Sequence, residues 1–282
     1  MQGQPVAGSA SATTHIGRRQ KQGKLALAGR VAGSGVGLKV ISFLCLVIAW
    51  AIIASFYPPT FLPGPERVFQ KIIKIVLYED FLTHAYGTVG RVMAGFVLAL
   101  LGSAGVGILM GANDRLEKFL ETYVLVGLTI PGLCWAVLSL MWFGISEASP
   151  VFAIFVIVSP MIAVNMWQGT KAIDKELLEM GKAFKAKRTT VVTEIVVPQL
   201  LPYLFAGARF GFALAWKVVV LSEMLGLSNG IGYMINTSFS TFSMDGVLGW
   251  TLAFTILMIV FEFAVLKPLE RRFTGWRPKI AL

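Results

Sequence analysis

The chain has 282 residues, of which 56% are hydrophobic and only 14% are charged, and its formal net charge is +10. Soluble domains carry about 25% charged residues, and a run of about 20 apolar residues can cross a bilayer, so the composition excludes a water-soluble globular protein. The basic residues lie at the edges of the apolar runs instead of forming one patch, which argues against nucleic-acid binding. The two cysteines and two histidines show no metal-ligand spacing, so we expect no metal site and no catalytic residues.

The chain starts with a basic segment, residues 1–39, that contains six basic residues and no acid. This composition predicts a disordered cytosolic tail. The apolar runs that follow predict an all-α, multi-pass membrane helical bundle over residues 40–267, with a cytosolic tail over residues 268–282. The six predicted spans are Val40–Tyr57, His84–Met110, Phe119–Phe143 (broken at Pro131-Gly132), Val151–Trp167, Val191–Met224 and Val247–Leu266.

Lysine and arginine residues are divided unequally between the two sides that these spans define. Nineteen lie in the N-terminal tail, the 112–118 loop, the 171–190 insert and the C-terminal tail, and three lie in the loop after the first span. The positive-inside rule therefore places both termini and the insert in the cytosol.

Small residues recur at every fourth position in the second and fifth spans, and such faces let helices approach closely. We expect these faces to pack inside the chain, with a subunit interface as the alternative. The residues are Gly95, Ala99, Ser103 and Gly107 in the second span and Gly207, Gly211 and Ala215 in the fifth.

The charged insert between the fourth and fifth spans contains an apolar stripe at helical spacing, which follows Asp174, a suitable N-cap residue. The stripe consists of Ile173, Leu177, Met180 and Phe184. These features predict an amphipathic cytosolic helix over about residues 172–190. Periodicity alone leaves open whether its apolar face covers the chain's own helix ends, lipid headgroups or another protein.

The same insert resembles the EAA motif of bacterial ABC importer permeases, which runs Glu-Ala-Ala, three residues, Gly, nine residues, Ile, one residue, Leu-Pro. The corresponding residues here are Glu179, Met180, Gly181, Lys185, Ile195, Val197 and Pro198. In that family the element is a coupling helix that sits in a groove of the cytosolic ATPase. The resemblance implies that the residues in contact with the ATPase are Glu179, Met180, Phe184, Lys185, Ala186 and Pro198.

Lys185 stands where the family has glycine, at the bend between two short helices. A lysine there either adopts the left-handed conformation, at a cost of about 1–2 kcal/mol, or abolishes the bend. The local sequence AFKAKR has good helix formers and no glycine. We therefore expect one continuous helix through Ala186.

Four further stretches are similar to the taurine, sulfonate and nitrate branch of these permeases: Ile130–Ser149, Leu201–Gly226, Gly230–Tyr233 and Arg271–Trp276. The resemblance implies a MetI-like permease fold in the bacterial cytoplasmic (inner) membrane. It further implies import of a small solute, an organic or inorganic oxyanion such as a sulfonate. The implied partners are a second permease subunit, expected to be an identical copy, two cytosolic ATP-binding subunits and a periplasmic solute-binding protein.

The chain has no GxxxxGK[ST] motif, so we do not expect it to hydrolyse ATP or to bind a cofactor. The resemblance places ATP and Mg on the partner ATPase. One alternative is a secondary transporter driven by an ion gradient. A membrane-embedded enzyme is the other alternative, and it would need paired carboxylates or histidines close together within the membrane. Glu223 and Glu262 are the main acidic candidates, but they lie in different spans without a neighbouring histidine.

The charged residues within the predicted spans include Arg91, Arg209, Lys217 and Glu223. Such residues are costly in lipid and usually face a cavity or a partner. We assign Lys217, Glu223 and Arg209 to the translocation path. For Lys217 the alternative is an ion pair, although not with Glu223, which lies roughly 240° around the same helix. For Arg91 and Arg209 the alternative is an anchor near a helix end.

Overall fold

The computed structural model describes residues 35–274, and within this range the regular structure is entirely helical, which confirms the predicted all-α class. Most of the predicted basic tail, residues 1–34, lies outside the described residues, as do residues 275–282. The described residues divide into two compact units, one ending at Arg67 and the other beginning at Val68. The helix of the first unit starts five residues before the predicted Val40.

The helices are numbered in chain order. They are α1 (Gly35–Ser55), α2 (Pro65–Tyr78), α3 (Phe81–Ala112), α4 (Asp114–Thr129), α5 (Gly132–Phe143), α6 (Ala148–Lys171), α7 (Lys175–Ala183), α8 (Arg188–Val191), α9 (Val197–Gly226), α10 (Ile231–Ser240), α11 (Met244–Phe261) and α12 (Lys267–Thr274). Two π-helical turns, Val192–Val196 and Glu262–Leu266, join α8 to α9 and α11 to α12.

Five helical segments of the described residues are long and apolar enough to cross a membrane, and α4 with α5 passes the same test as a pair bent by 97°. The bend falls at Ile130-Pro131, where the sequence predicts a break. Glu117 near the start of α4 pairs with Lys171 at the end of α6 (2.5 Å), so these two ends lie on the same side. Since α5 ends near the opposite, starting end of α6, α4 and α5 together make one crossing. The structure thus agrees with six candidate spans.

Helix α6 packs between α3 and α9, and the core of the second unit lies along these contacts. A Cβ atom added to Gly95 of α3 would lie 2.7 Å from Ile154 of α6, and one added to Gly211 of α9 would lie 2.7 Å from Val158. All seven residues of the two small faces are buried. These contacts confirm that the small faces pack inside the chain.

Candidate functional site

The predicted coupling segment starts as the sequence indicates. The carboxylate of Asp174 accepts hydrogen bonds from the backbone N–H groups of Glu176 (2.8 Å) and Leu177 (3.4 Å), which confirms the N-cap of α7. The backbone N–H of Asp174 donates to the side-chain oxygen of Gln199 in α9 (2.9 Å). A hydrogen bond therefore joins the start of α7 to the start of a membrane span.

The apolar stripe of this segment is covered at one end and open at the other. Ile173 packs against the core of the bundle. Exposure then rises along the stripe, from 39% at Leu177 and 49% at Met180 to 79% at Phe184. Within residues 35–274, the chain therefore covers only the beginning of the stripe.

The prediction of a continuous helix through Ala186 was wrong. Helix α7 ends at Ala183, Lys185 has φ +49°, and a separate helix starts at Arg188. The N–H of Ala186 donates to the carbonyl of Gly181 (3.0 Å), and that of Lys185 donates to the carbonyl of Lys182 (2.9 Å). This pair of bonds is the Schellman motif, with lysine at the position that glycine usually takes.

Packing after the bend explains why lysine accepts the left-handed conformation. Gly181 is buried, and a Cβ there would lie 3.3 Å from Val191 and 3.4 Å from Ile195. The chain must reverse between Ala183 and Arg188 to make these contacts. The contacts and the two Schellman bonds together outweigh the left-handed cost of about 1–2 kcal/mol.

The other predicted coupling residues lie around this bend. Glu179 and Ala186 are exposed, and Pro198 is half-buried as the second residue of α9. The exposed surface of the bend therefore combines the apolar side chains of Met180 and Phe184 with charged side chains around them. Protein–protein interfaces commonly have such an apolar centre and polar rim.

Helix α9 has one packed face and one open face. The open face carries two cations, Arg209 and Lys217, among small and apolar residues. Its residues are Ala206, Arg209, Phe210, Ala213, Lys217 and Leu221, and we call it the open α9 face. Among the residues whose side chains the structure describes, Lys217 forms no ion pair. An ion pair within one subunit, the alternative reading for Lys217, is thus not seen in the described part of the chain.

Arg209 lies in the wall of a cavity of about 520 Å³ between α9 and the end of α11. Its guanidinium donates to Glu262 at 3.2 Å, with side chains 59% and 34% exposed respectively. Phe205, Phe210, Met258 and Leu266 give the cavity an apolar lining. The structure therefore brings Arg209 and Lys217 onto the same open face.

Glu223, the third residue predicted to line the path, has no exposed surface. One carboxylate oxygen accepts from the Nη1–H of Arg91 (2.7 Å), and the Thr88 hydroxyl lies 2.9 and 3.0 Å from the two oxygens. Gly232 donates its backbone N–H to the second oxygen (2.8 Å). Glu223 consequently contributes no lining surface in this conformation. Arg91 is the cation of this buried ion pair and also donates to the backbone carbonyl of Asn229 (3.0 Å), just after the end of α9, as the alternative of an anchor near a helix end expects.

Glycine is required where α10 approaches this carboxylate. Gly230 has φ +113°, and a Cβ there would lie 2.5 Å from the Glu223 oxygens. The next amide, Ile231, donates to the Thr88 hydroxyl (2.9 Å). In the first turn of α10, the N–H of Gly232 thus donates directly to the Glu223 carboxylate, and that of Ile231 donates to the Thr88 hydroxyl beside it.

Arg91 also binds a second carboxylate, outside the spans. Its Nε–H and Nη2–H donate to the two oxygens of Glu147, both at 2.6 Å, and it further contacts Asn229. Glu147 precedes α6 and is 68% exposed. The hydrogen bonds from the Arg91 guanidinium lower the pKa of the Glu147 carboxyl, so it stays ionised at neutral pH.

Sequence reasoning noticed the two charges at Arg91 and Glu223 but did not pair them, and it missed Thr88, Glu147 and Asn229. One signal was present: Thr88 lies three residues before Arg91, on the same helical face within an apolar span. Which helices are neighbours could not be read from that spacing.

These features are those of a multi-span membrane protein with an exposed helical bend between its fourth and fifth candidate spans. The model of the family described as "binding-protein-dependent transport system inner membrane component" matches residues 103–267, more than half of the chain. The protein therefore belongs to this family of transport permeases, which confirms the predicted class.

Several curated relatives are similar over most of their length. The taurine transport system permease protein TauC of Escherichia coli is 25% identical over 252 residues, covering 87% of this chain and 91% of its own. An ABC transporter permease protein of Methanocaldococcus jannaschii is 30% identical over 246 residues (85% and 92%). The nitrate import permease protein NrtB of Synechococcus elongatus is 30% identical over 205 residues (68% and 74%).

Solved structures confirm the fold. An inward-facing form of the MetNI methionine ABC transporter matches with a TM-score of 0.59 at 18% identity, covering 67% of this chain and 94% of that chain. An amino acid ABC transporter crystallised with histidines matches with a TM-score of 0.57 at 16% identity (71% and 98%). The MetI-like permease fold is thus confirmed.

Proposed function

We propose that this permease forms the membrane path of an ATP-driven importer for a small oxyanion, with a sulfonate as the leading candidate. The observation that carries the proposal is the unpaired cation Lys217 on the open α9 face, in a family whose relatives include taurine, aliphatic sulfonate and nitrate permeases.

The depth of Lys217 supports a role in the path. It lies nine residues before the end of α9, which corresponds to about 13 Å at 1.5 Å per residue, near the middle of a hydrocarbon core about 30 Å thick. A lysine that faced lipid at this depth would cost about 3 kcal/mol or more. We infer that the open α9 face lines a water-filled path, where Lys217 and Arg209 raise the local concentration of anions.

The proposed assembly contains a second, identical permease subunit, two cytosolic ATP-binding subunits that hold ATP and Mg, and a periplasmic solute-binding protein. Both termini and the α7–α8 bend lie in the cytosol, as the distribution of basic residues indicates. A second copy supplies the opposite wall of the path, because among the described residues the end of α11 faces the Arg209 part of the open α9 face but leaves Lys217 exposed.

We propose that the exposed end of the apolar stripe, Met180 and Phe184, docks in a groove of the ATP-binding subunit, with Glu179, Lys185 and Ala186 at the rim and Pro198 behind them. Closure of the two ATP-binding subunits then draws the two α7–α8 bends together. The Asp174–Gln199 hydrogen bond passes this movement to α9.

The substrate assignment is tested by uptake into vesicles that contain the complete transporter, with labelled taurine, an alkanesulfonate and nitrate as probes. Lys217→Met should reduce uptake of the anionic probe several-fold at an unchanged amount of protein, and Lys217→Arg should retain it. Lys74→Met, at an exposed lysine of α2, is the matched control. Unchanged uptake by Lys217→Met would show that this cation has no part in anion passage.

The coupling assignment is tested by co-purification. Glu179→Lys should weaken docking of the ATP-binding subunit while insertion into the membrane is retained. A complex of unchanged stoichiometry and unchanged ATPase coupling would contradict the contact.

A further inference from the structure

Arg91 joins three segments that are far apart in sequence. Its guanidinium binds Glu223 of α9 on one side (2.7 Å) and Glu147 of the α5–α6 loop on the other (two bonds of 2.6 Å). In the proposed orientation these segments meet at the outer end of the bundle, where a solute would enter. The cluster therefore lies where an importer must open and close, although it contributes no surface to the open α9 face.

The two halves of this cluster differ in their access to water. The side chains of Arg91 and Glu223 are 2% and 0% exposed, whereas that of Glu147 is 68% exposed. Water can take over the hydrogen bonds of Glu147 when the pair separates. It cannot do so for Glu223 unless the interior opens, and an unpaired buried charge is strongly unfavourable. Separation therefore costs less at the Arg91–Glu147 half than at the Arg91–Glu223 half.

The segment that carries Glu147 is placed so that its release would open the outer end. The end of α5 contacts the end of α9, because Leu140 and Ile145 lie against Gly226. At its other end α5 meets α4 at a bend of 97°, where Pro131 interrupts the backbone hydrogen bonds. This bend is therefore the point about which α5 would turn if Glu147 left Arg91.

We propose that Glu147 is a releasable latch on Arg91. The latch is closed in this structure, and it opens in each transport cycle while Arg91 stays bound to Glu223, so that the α5–α6 loop moves away from the outer end of α9. This inference rests on the proposed ATP-driven transport. It adds a positioning residue, Glu147, that touches neither solute nor nucleotide.

The latch is tested by a distance measurement on the complete transporter in lipid nanodiscs. Spin labels are attached at Ala148→Cys and Ser228→Cys, two exposed positions that flank the latch, after Cys45 and Cys134 are replaced by serine. Distances are measured by pulsed electron paramagnetic resonance without nucleotide and after trapping with Mg-ATP and vanadate. The latch predicts a longer distance in the trapped state.

Glu147→Gln keeps the size of the side chain and removes its charge. It should shift the nucleotide-free distances toward the trapped distribution and raise ATP hydrolysis in the absence of binding protein. Glu147→Asp, which keeps the charge, should behave more like the unmodified protein. Equal distance distributions for Glu147→Gln and the unmodified protein would overturn the latch.

A second outcome separates the latch from the proposed function. If trapping leaves the distance unchanged while the same preparation performs ATP-driven uptake, the latch is wrong and the transport proposal stands. If Glu147→Gln only lowers the thermal midpoint and leaves distances and ATP hydrolysis unchanged, Glu147 is a purely structural residue and the latch is again wrong.

Discussion

Removing the positive charge of Arg91 should damage the protein far more than removing the negative charge of Glu223. Arg91 has two carboxylate partners, whereas Arg91 is the only cation bound to Glu223 among the described residues. Arg91→Met leaves the Glu223 carboxylate buried with only the Thr88 hydroxyl and the Gly232 amide. Breaking a buried pair in this way costs about 3–5 kcal/mol. Glu223→Gln leaves the Arg91–Glu147 pair intact and costs about 1–2 kcal/mol for the weakened hydrogen bonds.

The two substitutions should not be additive. In the double variant Arg91→Met/Glu223→Gln no charge is left unpaired in the interior, so the loss should be smaller than that of Arg91→Met alone. A double-mutant cycle should give a coupling energy of about 2–3 kcal/mol.

The assay is thermal unfolding of the purified transporter in nanodiscs, followed by the fluorescence of its tryptophans. At about 2–4 °C per kcal/mol, Arg91→Met should lower the midpoint by roughly 6–20 °C, and the added Glu223→Gln should recover about a quarter of that loss. Arg91→Lys is the charge-retaining control. A double variant as unstable as the sum of the two single variants would refute the idea that charge balance governs this interior site.

Three further outcomes are expected. Lys185→Gly should leave coupling to the ATP-binding subunit intact and raise the free energy of unfolding by about 0.5–1 kcal/mol. Glycine removes the cost of the left-handed backbone conformation but adds conformational entropy to the unfolded chain. Impaired coupling would contradict the strained bend. Gly211→Leu should prevent close packing on Val158 and lower the amount of folded protein recovered from membranes, whereas Ala213→Leu on the open α9 face should be tolerated there. Arg91 lowers the pKa of the Glu147 carboxyl, so the stability that this carboxylate adds should be present at neutral pH and be lost only as the pH falls below about 4.5. The measurement is the difference in thermal unfolding midpoint between Glu147→Gln and the unmodified protein. A difference that already disappears at pH 6 would contradict this prediction.

The sequence predicted those features that depend on local pattern. Apolar runs and their lengths gave the spans, the position of Pro131 gave the break in the third span, and Asp174 gave the start of α7. The repeated small residues also indicated which helix faces pack closely, because larger side chains would hold the two helices apart.

What the sequence could not give depends on tertiary neighbours. Helix propensity favoured continuation through Lys185, but the burial of Gly181 against Val191 required the chain to reverse there. Arg91 and Glu223 are 132 residues apart, and only the packing of α3 against α9 brings them together. A single sequence carries the charges of such a pair but not the adjacency of the two helices.

Determining which energy source drives transport is the most direct test of the proposed function. Vesicles that contain the complete transporter, with the binding protein outside and Mg-ATP inside, are supplied with labelled taurine, an alkanesulfonate or nitrate. We predict uptake that requires hydrolysable ATP, that stops when the partner's ATPase is inactivated, and that persists after an uncoupler abolishes the proton gradient. Uptake that persists without ATP and collapses with the gradient would contradict an ATP-driven importer and identify a secondary transporter.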